Sequence, residues 1–280
     1  EKTPSSQPQP QAEGLSGLRG IPMELSLRLS AIADMVTEGN RLVDVGCDHG
    51  YLPVYLIQKK KIPAAIAADI GKGPLSRAEE HIRRCGLESY IETRLSDGLK
   101  EIRMGEGDSL VMAGMGGPLM ERILSEGKNS LGGFRELILQ PQSDIPHVRR
   151  FLLNNGFCIS EEEMVLEDGK LYFIMKAVPE DTVGTDKDMQ PWTEEELLFG
   201  RYLLGRRHPL LKKYLERELR IRESILENMR KAEQMGESAF GRRKEVEEER
   251  RQILAALKKY ESKRTDSLAG EEISGADGRR

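Results

Sequence analysis

Short apolar runs and helical apolar stripes alternate along the first two thirds of the chain. Runs bounded by turn residues are typical of buried parallel strands, and apolar residues at every third or fourth position are typical of amphipathic helices. The runs predict strands over residues 41–46, 64–70, 91–95, 109–113 and 136–140. The stripes predict a first helix from Leu25 onward and further helices over 52–59, 74–85, 118–125 and 145–154. This alternation predicts an α/β fold with at least five parallel strands.

The pattern changes after Gly156. Two runs rich in β-forming residues, 157–166 and 171–178, flank the pair Asp168-Gly169. An Asp-Gly pair between such runs is a strong signal for a two-residue hairpin turn. The sheet is therefore predicted to end with an antiparallel pair of strands.

The last third of the chain is highly charged and has the apolar spacing of helices. Residues 179–192 carry Pro, Gly, Thr and acids and are predicted to form a linker. After them, helical stripes broken at 205–209 and 236–241 predict a short helix followed by two long antiparallel helices in a coiled-coil-like hairpin. The two chain ends hold too few large apolar residues to form a core. The predicted division is a disordered extension 1–22, an α/β domain 23–178, a linker 179–192, a helical domain 193–262 and a disordered tail 263–280.

Composition limits the class of protein. The 280 residues carry a formal net charge of −4, so a nucleic-acid partner requires a local basic patch rather than a basic chain. The three cysteines lie far apart without a C-x-x-C pair, which argues against a disulfide framework or a cysteine zinc site. No apolar run reaches the roughly 20 residues of a membrane span. We expect a reduced, cytoplasmic, monomeric protein with neither metal nor membrane as a partner.

The stretch 42–51 carries the first candidate chemistry. A predicted buried strand here runs into the turn 46–50, with the letters Gly-Cys-Asp-His-Gly, and then into a helix. A dinucleotide-binding turn reads G-x-G-x-x-G and offers amides to a pyrophosphate. Asp44 and Asp48 instead place two carboxylates here, which repel a pyrophosphate and suit a cationic, amino-acid-bearing ligand. The turn therefore predicts binding of a cofactor such as S-adenosylmethionine.

Acids also follow the next two predicted strands. Asp69 ends the second strand, about 20 residues after the glycine turn, where an acid normally binds ribose hydroxyls. Asp97 follows the third strand, where a carboxylate can accept a hydrogen bond from an adenine amino group. Each acid alone is explained equally well by a turn or a helix cap, but three at successive strand ends indicate one cofactor site. The predicted cofactor-binding residues are Asp44, Gly46, Cys47, Gly50, Asp69, Ile70, Ser96, Asp97, Gly98, Ala113 and Gly114.

The fourth predicted strand ends in the segment 113–118, with the letters Ala-Gly-Met-Gly-Gly-Pro. Methyltransferases position their acceptor at this strand end, and those that methylate exocyclic amines of bases commonly carry an Asn or Asp-Pro-Pro-aromatic clamp there. This chain lacks the clamp, and its three glycines allow a flat ring to approach the backbone closely. A tight strand-to-helix turn with Pro118 at the first helical position explains the same letters.

Taken together, these motifs resemble those of the bacterial tRNA (adenine-22-N1)-methyltransferase family. The strings are DVGCDHGYLP at 44–53, DI at 69–70, SDGL at 96–99, GMGG at 114–117 and LQPQ at 139–142. The resemblance covers about residues 23–260. It implies a cytoplasmic S-adenosylmethionine-dependent enzyme with a Rossmann-like methyltransferase domain and a C-terminal coiled-coil-like domain that helps to hold tRNA.

The resemblance implies methyl transfer from S-adenosylmethionine to N1 of adenine 22 in tRNA. That nitrogen has an in-plane lone pair, so alignment matters more than a strong base, and a nearby carboxylate stabilises the cation that develops. The predicted catalytic residues are Asp48 for this charge, and His49 and Tyr51 for orienting the base. His49 is explained equally well as a residue that only satisfies the turn.

A further set of candidates is predicted to contact the substrate. Arg206 and Arg207 have no acid within four residues, which favours binding of RNA phosphates, whereas charges further along the helices alternate with acids and indicate solvated faces. The predicted substrate-binding residues are Met115, Gly116, Gly117, Gln140, Arg206, Arg207, Lys212 and Lys213. Two other functions stay open: a non-catalytic RNA-binding scaffold with a relic cofactor pocket, and a methyltransferase for a different acceptor.

Overall fold

The computed structural model describes residues 23–182, 191–234 and 240–261. The predicted disordered ends, 1–22 and 263–280, lie outside the described residues. So do residues 183–190 of the predicted linker and most of the predicted helix break at 236–241.

The described residues form seven strands and ten α-helices. The strands are β1 (Leu42–Val45), β2 (Ala65–Asp69), β3 (Ile91–Leu95), β4 (Ser109–Met115), β5 (Glu136–Pro141), β6 (Phe157–Glu167) and β7 (Lys170–Pro179). The helices are α1 (Leu27–Met35), α2 (Tyr51–Gln58), α3 (Lys72–Arg84), α4 (Gly117–Glu126), α5 (Lys128–Leu131), α6 (Ile145–Asn154), α7 (Glu194–Phe199), α8 (Arg201–Gly205), α9 (Pro209–Gln234) and α10 (Phe240–Glu261). Each strand and helix predicted before residue 156 is present, within a few residues of its expected bounds.

The strands form one mixed sheet in the order β3-β2-β1-β4-β5-β7-β6. The short strand β1 is buried along its whole length and pairs in parallel with β2 on one side and β4 on the other. β2 in turn pairs in parallel with β3. The predicted α/β, Rossmann-like fold is confirmed. Because the strand order reverses between β1 and β4, a ligand is expected beyond the carboxyl ends of these strands.

The fourth strand is longer than predicted. β4 continues to Met115, whose carbonyl accepts the amide of Gln142 at 2.9 Å, and Gly114 takes a φ of +79° within the strand. α4 begins at Gly117, so Pro118 is its second residue rather than its first. The predicted turn over 113–118 is therefore wrong in extent, because a glycine accepts positive φ without ending the hydrogen bonding of the strand.

β6 and β7 form the predicted antiparallel hairpin. Glu167 lies opposite Lys170 across the turn. The two turn residues, Asp168 and Gly169, have φ of +49° and +75°, as a tight turn with two left-handed positions requires. The hairpin prediction is confirmed, and the turn residues account for it.

Contacts divide the chain into two compact units. The first holds the described residues up to Gly114 together with Arg122–Ile138, and the second holds Met115–Glu121 together with the described residues from Leu139 onward. Within the second unit, the β6–β7 hairpin and the C-terminal helices share one hydrophobic core, formed by Met164, Phe173, Phe199, Leu203, Leu204, Leu211, Leu215, Ile253 and Ala256. This shared core joins residues from both sides of the predicted linker, so the predicted domain bounds stay a prediction.

The C-terminal residues form the predicted helical hairpin. Arg222 of α9 pairs with Glu249 of α10 at 2.6 Å, and Tyr260 at the end of α10 donates to the carbonyl of His208 just before α9. These contacts make α9 and α10 antiparallel. The single short helix predicted ahead of them is instead two helices, because Gly200, with a φ of +93°, separates α7 from α8. Coiled-coil packing stays a prediction.

An ion pair lies buried inside the second unit. The guanidinium of Arg149 on α6 and the carboxylate of Glu162 on β6 are 2.8 Å apart, and each side chain is 1% exposed. Arg149 also donates to the carbonyls of Leu197 and Leu198 at the end of α7. Glu162 accepts the amide of Tyr202 on α8 at 3.0 Å. One buried pair therefore joins three helices, α6, α7 and α8, to the hairpin.

Candidate active site

Asp44 places a buried carboxylate near the carboxyl end of the central strand β1. The residue is 6% exposed, and its side chain makes no hydrogen bond to any residue within the described ranges. Burial, and then the negative charge of Asp69, raises the pKa of Asp44 to about 7. A buried carboxylate without a partner is costly. A donor or a cation supplied by a ligand would satisfy it, which fits the predicted cationic cofactor.

The turn between β1 and α2 is shaped by residues with positive φ. Gly46, Asp48 and Gly50 have φ of +79°, +44° and +66°. A Cβ at Gly50 would lie 3.4 Å from the Cβ of Ala78 on α3, an ordinary contact distance, so the positive φ rather than lack of space favours glycine there. Cys47 is buried, and burial raises the pKa of its thiol. Burial therefore favours the protonated form of the thiol, which is a weak nucleophile, and the assignment of Cys47 to the cofactor site stays a prediction.

Asp69 lies at the end of β2, the neighbour of β1. Its Oδ1 accepts the amide of Gly71 at 2.7 Å, and no residue that the structure describes bonds Oδ2. The next residue, Ile70, is a large apolar side chain that is 67% exposed. An acid with one open oxygen beside an exposed apolar side chain fits the hydroxyls and the flat ring of a nucleoside.

The carboxylate of Asp97 is flanked by two cations. The Nζ of Lys100 lies 2.5 Å from Oδ2, and a guanidinium nitrogen of Arg122 lies 3.6 Å from Oδ1. The hydrogen bond from Lys100 lowers the pKa of Asp97. The buried hydroxyl of Ser96 donates to the carbonyl of Gly98 at 2.8 Å, which fixes the loop. Asp97 is thus held ionised in a defined position by two cations that the sequence motif does not reveal.

Gly98 has no room for a side chain. Its φ is +63°, and a Cβ there would lie 2.8 Å from the side chain of Ile123. We expect Gly98→Ala to cost about 1–3 kcal/mol of stability and to weaken cofactor binding roughly tenfold or more, because the loop that carries Asp97 must move. Calorimetric titration with the cofactor and urea denaturation measure the two effects.

Gly86→Ala is the control for this prediction. Gly86 has a φ of +67°, and a Cβ added there would have no atom of the described residues within 4 Å. That variant places an alanine at positive φ but creates no steric clash of its Cβ. It should therefore bind the cofactor with wild-type affinity. Equal loss of affinity in both variants would contradict a specific role for Gly98.

The three predicted catalytic residues meet on one exposed turn. The rings of His49 and Tyr51 stack with centroids 5.2 Å apart, and Tyr51 is 43% exposed. The Oδ2 of Asp48 lies 3.7 Å from the Nε2 of His49, while its Oδ1 accepts a hydrogen bond from Arg77 at 2.8 Å. Arg77 and His81, both on α3, also contact this turn and were not predicted from the sequence. Their spacing of four residues, which places both on one face of a helix, is the only signal that the sequence offers.

Four predicted acceptor residues belong to the second unit: Met115, Gly116, Gly117 and Gln140. Gly117 is buried, and a Cβ there would lie 2.7 Å from the carbonyl of Ser143. Gln140 is fully buried and donates to the carbonyl of Pro141 at 3.1 Å. Both observations favour a packing role, because a buried residue does not contact a ligand in this conformation. The assignment of these four residues to the substrate stays a prediction.

Acids of the second unit partly neutralise the basic residues predicted to bind RNA, which are Arg206, Arg207, Lys212 and Lys213. A guanidinium nitrogen of Arg206 lies 2.9 Å from the carboxylate of Glu163, and Lys212 pairs with an acid one turn ahead on α9. Lys213 is exposed and makes no ion pair with a residue in the described part of the chain. Sequence spacing detects only acids on the same helix, whereas Glu163 belongs to the hairpin. The RNA contacts predicted for these residues and for Arg207 stay a prediction.

Neither a metal cluster nor a membrane-spanning helix occurs in the described part of the chain. The described residues contain no group of three or more His, Cys, Asp or Glu side chains that could hold a metal ion. Of the helices formed in ranges 23–182, 191–234 and 240–261, none is long and apolar enough to cross a membrane.

Comparison with known proteins matches the chain to one kind of enzyme. Residues 25–175 match the family described as Methyltransferase domain. Over 210 residues the chain is 34% identical to the tRNA (adenine(22)-N(1))-methyltransferase of Bacillus subtilis (strain 168), and the match covers 75% of this chain and 87% of that protein.

Solved structures show the same similarity. Sp1610 of Streptococcus pneumoniae, in complex with S-adenosyl-L-methionine, is 29% identical with a TM-score of 0.72, covering 84% of this chain and 100% of that chain. TrmK of M. capricolum, in complex with S-adenosyl-homocysteine, is 25% identical with a TM-score of 0.71, covering 84% of this chain and 98% of that chain. With a methyltransferase domain over more than half of its length and a relative matched over most of both sequences, the chain belongs to the tRNA (adenine(22)-N(1))-methyltransferase family.

Proposed function

We propose that the protein transfers a methyl group from S-adenosylmethionine to N1 of adenine 22 in tRNA, as a monomer in the cytoplasm. The B. subtilis relative is named for this reaction, and the S. pneumoniae and M. capricolum structures hold the methyl donor and its demethylated product. The observation in this chain that carries the proposal is the buried Asp44 carboxylate, which has no hydrogen-bond partner among the described residues. It lies where a cationic cofactor is expected.

The three strand-end acids suit different parts of the donor. Asp44 is placed for its ammonium group, since a cation relieves both the burial of this carboxylate and its repulsion by Asp69. The open Oδ2 of Asp69 is placed for the ribose hydroxyls, and the exposed side chain of Ile70 for one face of the adenine ring. Asp97 lies at the end of the third strand, where it can accept from the adenine amino group.

The reaction needs alignment more than it needs a base. S-adenosylmethionine supplies a methyl group bonded to a sulfonium. A bond forms between adenine N1 and the methyl carbon while the carbon–sulfur bond breaks, its electron pair stays on sulfur, and the positive charge passes to the adenine ring. No proton has to leave. Asp48 stabilises the ring cation, and the rings of His49 and Tyr51 hold the base.

The acceptor must be exposed before it can react. N1 lies on the Watson–Crick edge of adenine, so a paired base has to leave its helix first. The partly exposed ring of Tyr51 offers a stacking surface for such a base. In this proposal the turn 48–51 holds the unpaired adenine through Tyr51 and stabilises the developing ring cation through Asp48.

A labelling experiment tests the proposed function. The purified protein is incubated with methyl-labelled S-adenosylmethionine and unmodified tRNA, and the product is digested and mapped by mass spectrometry. We expect N1-methyladenine at position 22, and no label in a tRNA that carries guanine at that position. Label on a protein or small molecule, or at another tRNA position, would replace the proposed acceptor, and no label with any acceptor would support the scaffold alternative.

We propose Lys213 as a phosphate contact of the bound tRNA. An exposed lysine without an internal acid keeps its full charge for a phosphate. We expect Lys213→Ala to raise KM for tRNA several-fold and to lower the slope of log affinity against log salt by about 1, with unchanged cofactor affinity. Filter binding at several salt concentrations measures the slope.

Lys231→Ala is the control for this prediction. Lys231 is an exposed lysine of the same helix whose Nζ lies 3.8 Å from Glu227. Its removal should leave KM nearly unchanged. An equal loss in both variants would indicate general charge attraction and would remove Lys213 from the proposed contacts.

A further inference from the structure

Helix α3 contacts the catalytic turn through two side chains that are one helical turn apart. Arg77 donates to the Oδ1 of Asp48 at 2.8 Å, and the Nδ1 of His81 lies 2.9 Å from the carbonyl oxygen of His49. A carbonyl oxygen only accepts, so Nδ1 of His81 carries the proton of this bond.

These contacts form a closed circuit of side chains. Arg77 binds Asp48, whose other oxygen lies 3.7 Å from the Nε2 of His49. The ring of His49 stacks on that of Tyr51, and the ring of Tyr51 meets His81 edge-on, with centroids 5.1 Å apart at 63°. The circuit therefore starts and ends on α3 and includes all three residues that the proposed reaction uses.

We propose that Arg77 and His81 are positioning residues for methyl transfer, which fix Asp48, His49 and Tyr51 for the incoming adenine. This inference rests on the proposed function. A displacement of about 1 Å can cost a reaction of this kind about 100-fold, and the Asp48 side chain is 61% exposed, so it needs an external restraint. Arg77 provides that restraint from a rigid helix.

A contribution to stability does not account for the pair of Arg77 and Asp48. Both side chains are about half exposed, and ion pairs of this kind add little to the free energy of unfolding. The pair also occupies only Oδ1 of Asp48, which leaves Oδ2 on the side of the His49 ring for the developing cation. The arrangement therefore restrains the carboxylate without consuming both of its oxygens.

A coupled set of variants tests the role of Arg77. We expect Arg77→Gln to lower kcat roughly 10- to 100-fold, with cofactor Kd within twofold and an unchanged melting temperature, and we expect Arg77→Lys to recover part of the loss. In an Asp48→Asn background, Arg77→Gln should cause no further loss, because its effect passes through Asp48. Arg84→Gln is the control, since Arg84 is exposed on the same helix and approaches Glu80 only at 4.0 Å.

The role of His81 is tested by His81→Phe, which keeps a ring against Tyr51 and removes the hydrogen bond to the His49 carbonyl. We expect a roughly tenfold fall in kcat without loss of folding. Nitrogen-15 NMR of the free protein should show the Nδ1-protonated tautomer of His81, a readout that does not depend on activity. Three results would overturn the inference. They are the Nε2-protonated tautomer of His81, additive losses of kcat for Arg77→Gln and Asp48→Asn, and a loss of kcat in Arg84→Gln equal to that in Arg77→Gln. A wild-type protein that makes no N1-methyladenine would instead overturn the proposed function.

Discussion

We expect Asp44→Asn to abolish useful cofactor binding and, at the same time, to stabilise the ligand-free protein. Removing one partner of a buried charged contact costs about 2–5 kcal/mol of binding, which is a loss of roughly 30-fold or more in affinity. The gain in stability has a separate cause. The native protein keeps a buried carboxylate that no described residue satisfies, whereas an amide carries no charge to desolvate.

The sign of the stability effect depends on pH. The folded pKa of Asp44, about 7, lies above its unfolded value, so the folded state binds this proton more tightly than the unfolded state. The contribution of Asp44 to the free energy of unfolding of the wild type is therefore greatest below pH 4. It falls by about 4 kcal/mol as the pH rises to about 7. The Asn variant should melt at a higher temperature than wild type at pH 8, and the difference should shrink at pH 5. Wild-type affinity for the cationic cofactor should fall as the pH drops below 7.

Asp108→Asn provides the opposite case. Arg41 hydrogen-bonds the Asp108 carboxylate at 2.9 Å and lowers its pKa. Its removal should destabilise the protein at neutral pH and leave cofactor affinity unchanged. If Asp44→Asn lowered the melting temperature at pH 8, or kept wild-type affinity in calorimetry, the role given to Asp44 would be wrong.

The largest expected loss of stability belongs to Arg149→Met. This variant leaves the Glu162 carboxylate buried without its cation and removes the donor to the carbonyls of Leu197 and Leu198. Breaking a buried pair from one side costs about 3–5 kcal/mol. Urea denaturation should show this loss as a lower midpoint with little change in slope.

Two further variants separate the buried pair from a simple charge effect. Arg150→Met removes the charge of the neighbouring arginine, which pairs with Glu194 on the surface. It should change the free energy of unfolding by less than about 1 kcal/mol. Combining Arg149→Met with Glu162→Leu should recover much of the loss, because no charge then stays buried alone. A cost for Arg149→Met as small as that for Arg150→Met would contradict the buried-pair interpretation.

Local chemistry made the sheet and the turns predictable. The run Leu-Val-Asp-Val of β1 is apolar on both faces except for Asp44, so it indicates both a central strand and a ligand. Asp168-Gly169 supplies two residues that tolerate positive φ, so the hairpin follows from two letters. Such features depend only on neighbours in the sequence, which explains why the strands and the hairpin turn were predicted correctly, whereas the cofactor role of the strand-end acids stays a prediction.

The contacts that were missed join residues far apart in the chain. Arg149 has the sequence context of an ordinary surface arginine on an amphipathic helix, and only the folded hairpin brings Glu162 to it. Arg206 has no acid within four residues of it in the sequence, and Glu163 reaches it from β6. Arg77 and His81 show no motif. The packing of the folded chain determines which distant residues pair with a charged side chain. Sequence spacing within one helix therefore cannot predict these partners.

The shared core of the hairpin and the C-terminal helices has a consequence for how this enzyme can be altered. A chain shortened after residue 182 would expose Met164 and Phe173, which those helices cover, and would present an apolar surface for aggregation. The helices therefore cannot be exchanged between enzymes on their own. Any exchange has to include β6 and β7, so the C-terminal helices and the last two strands would be inherited together.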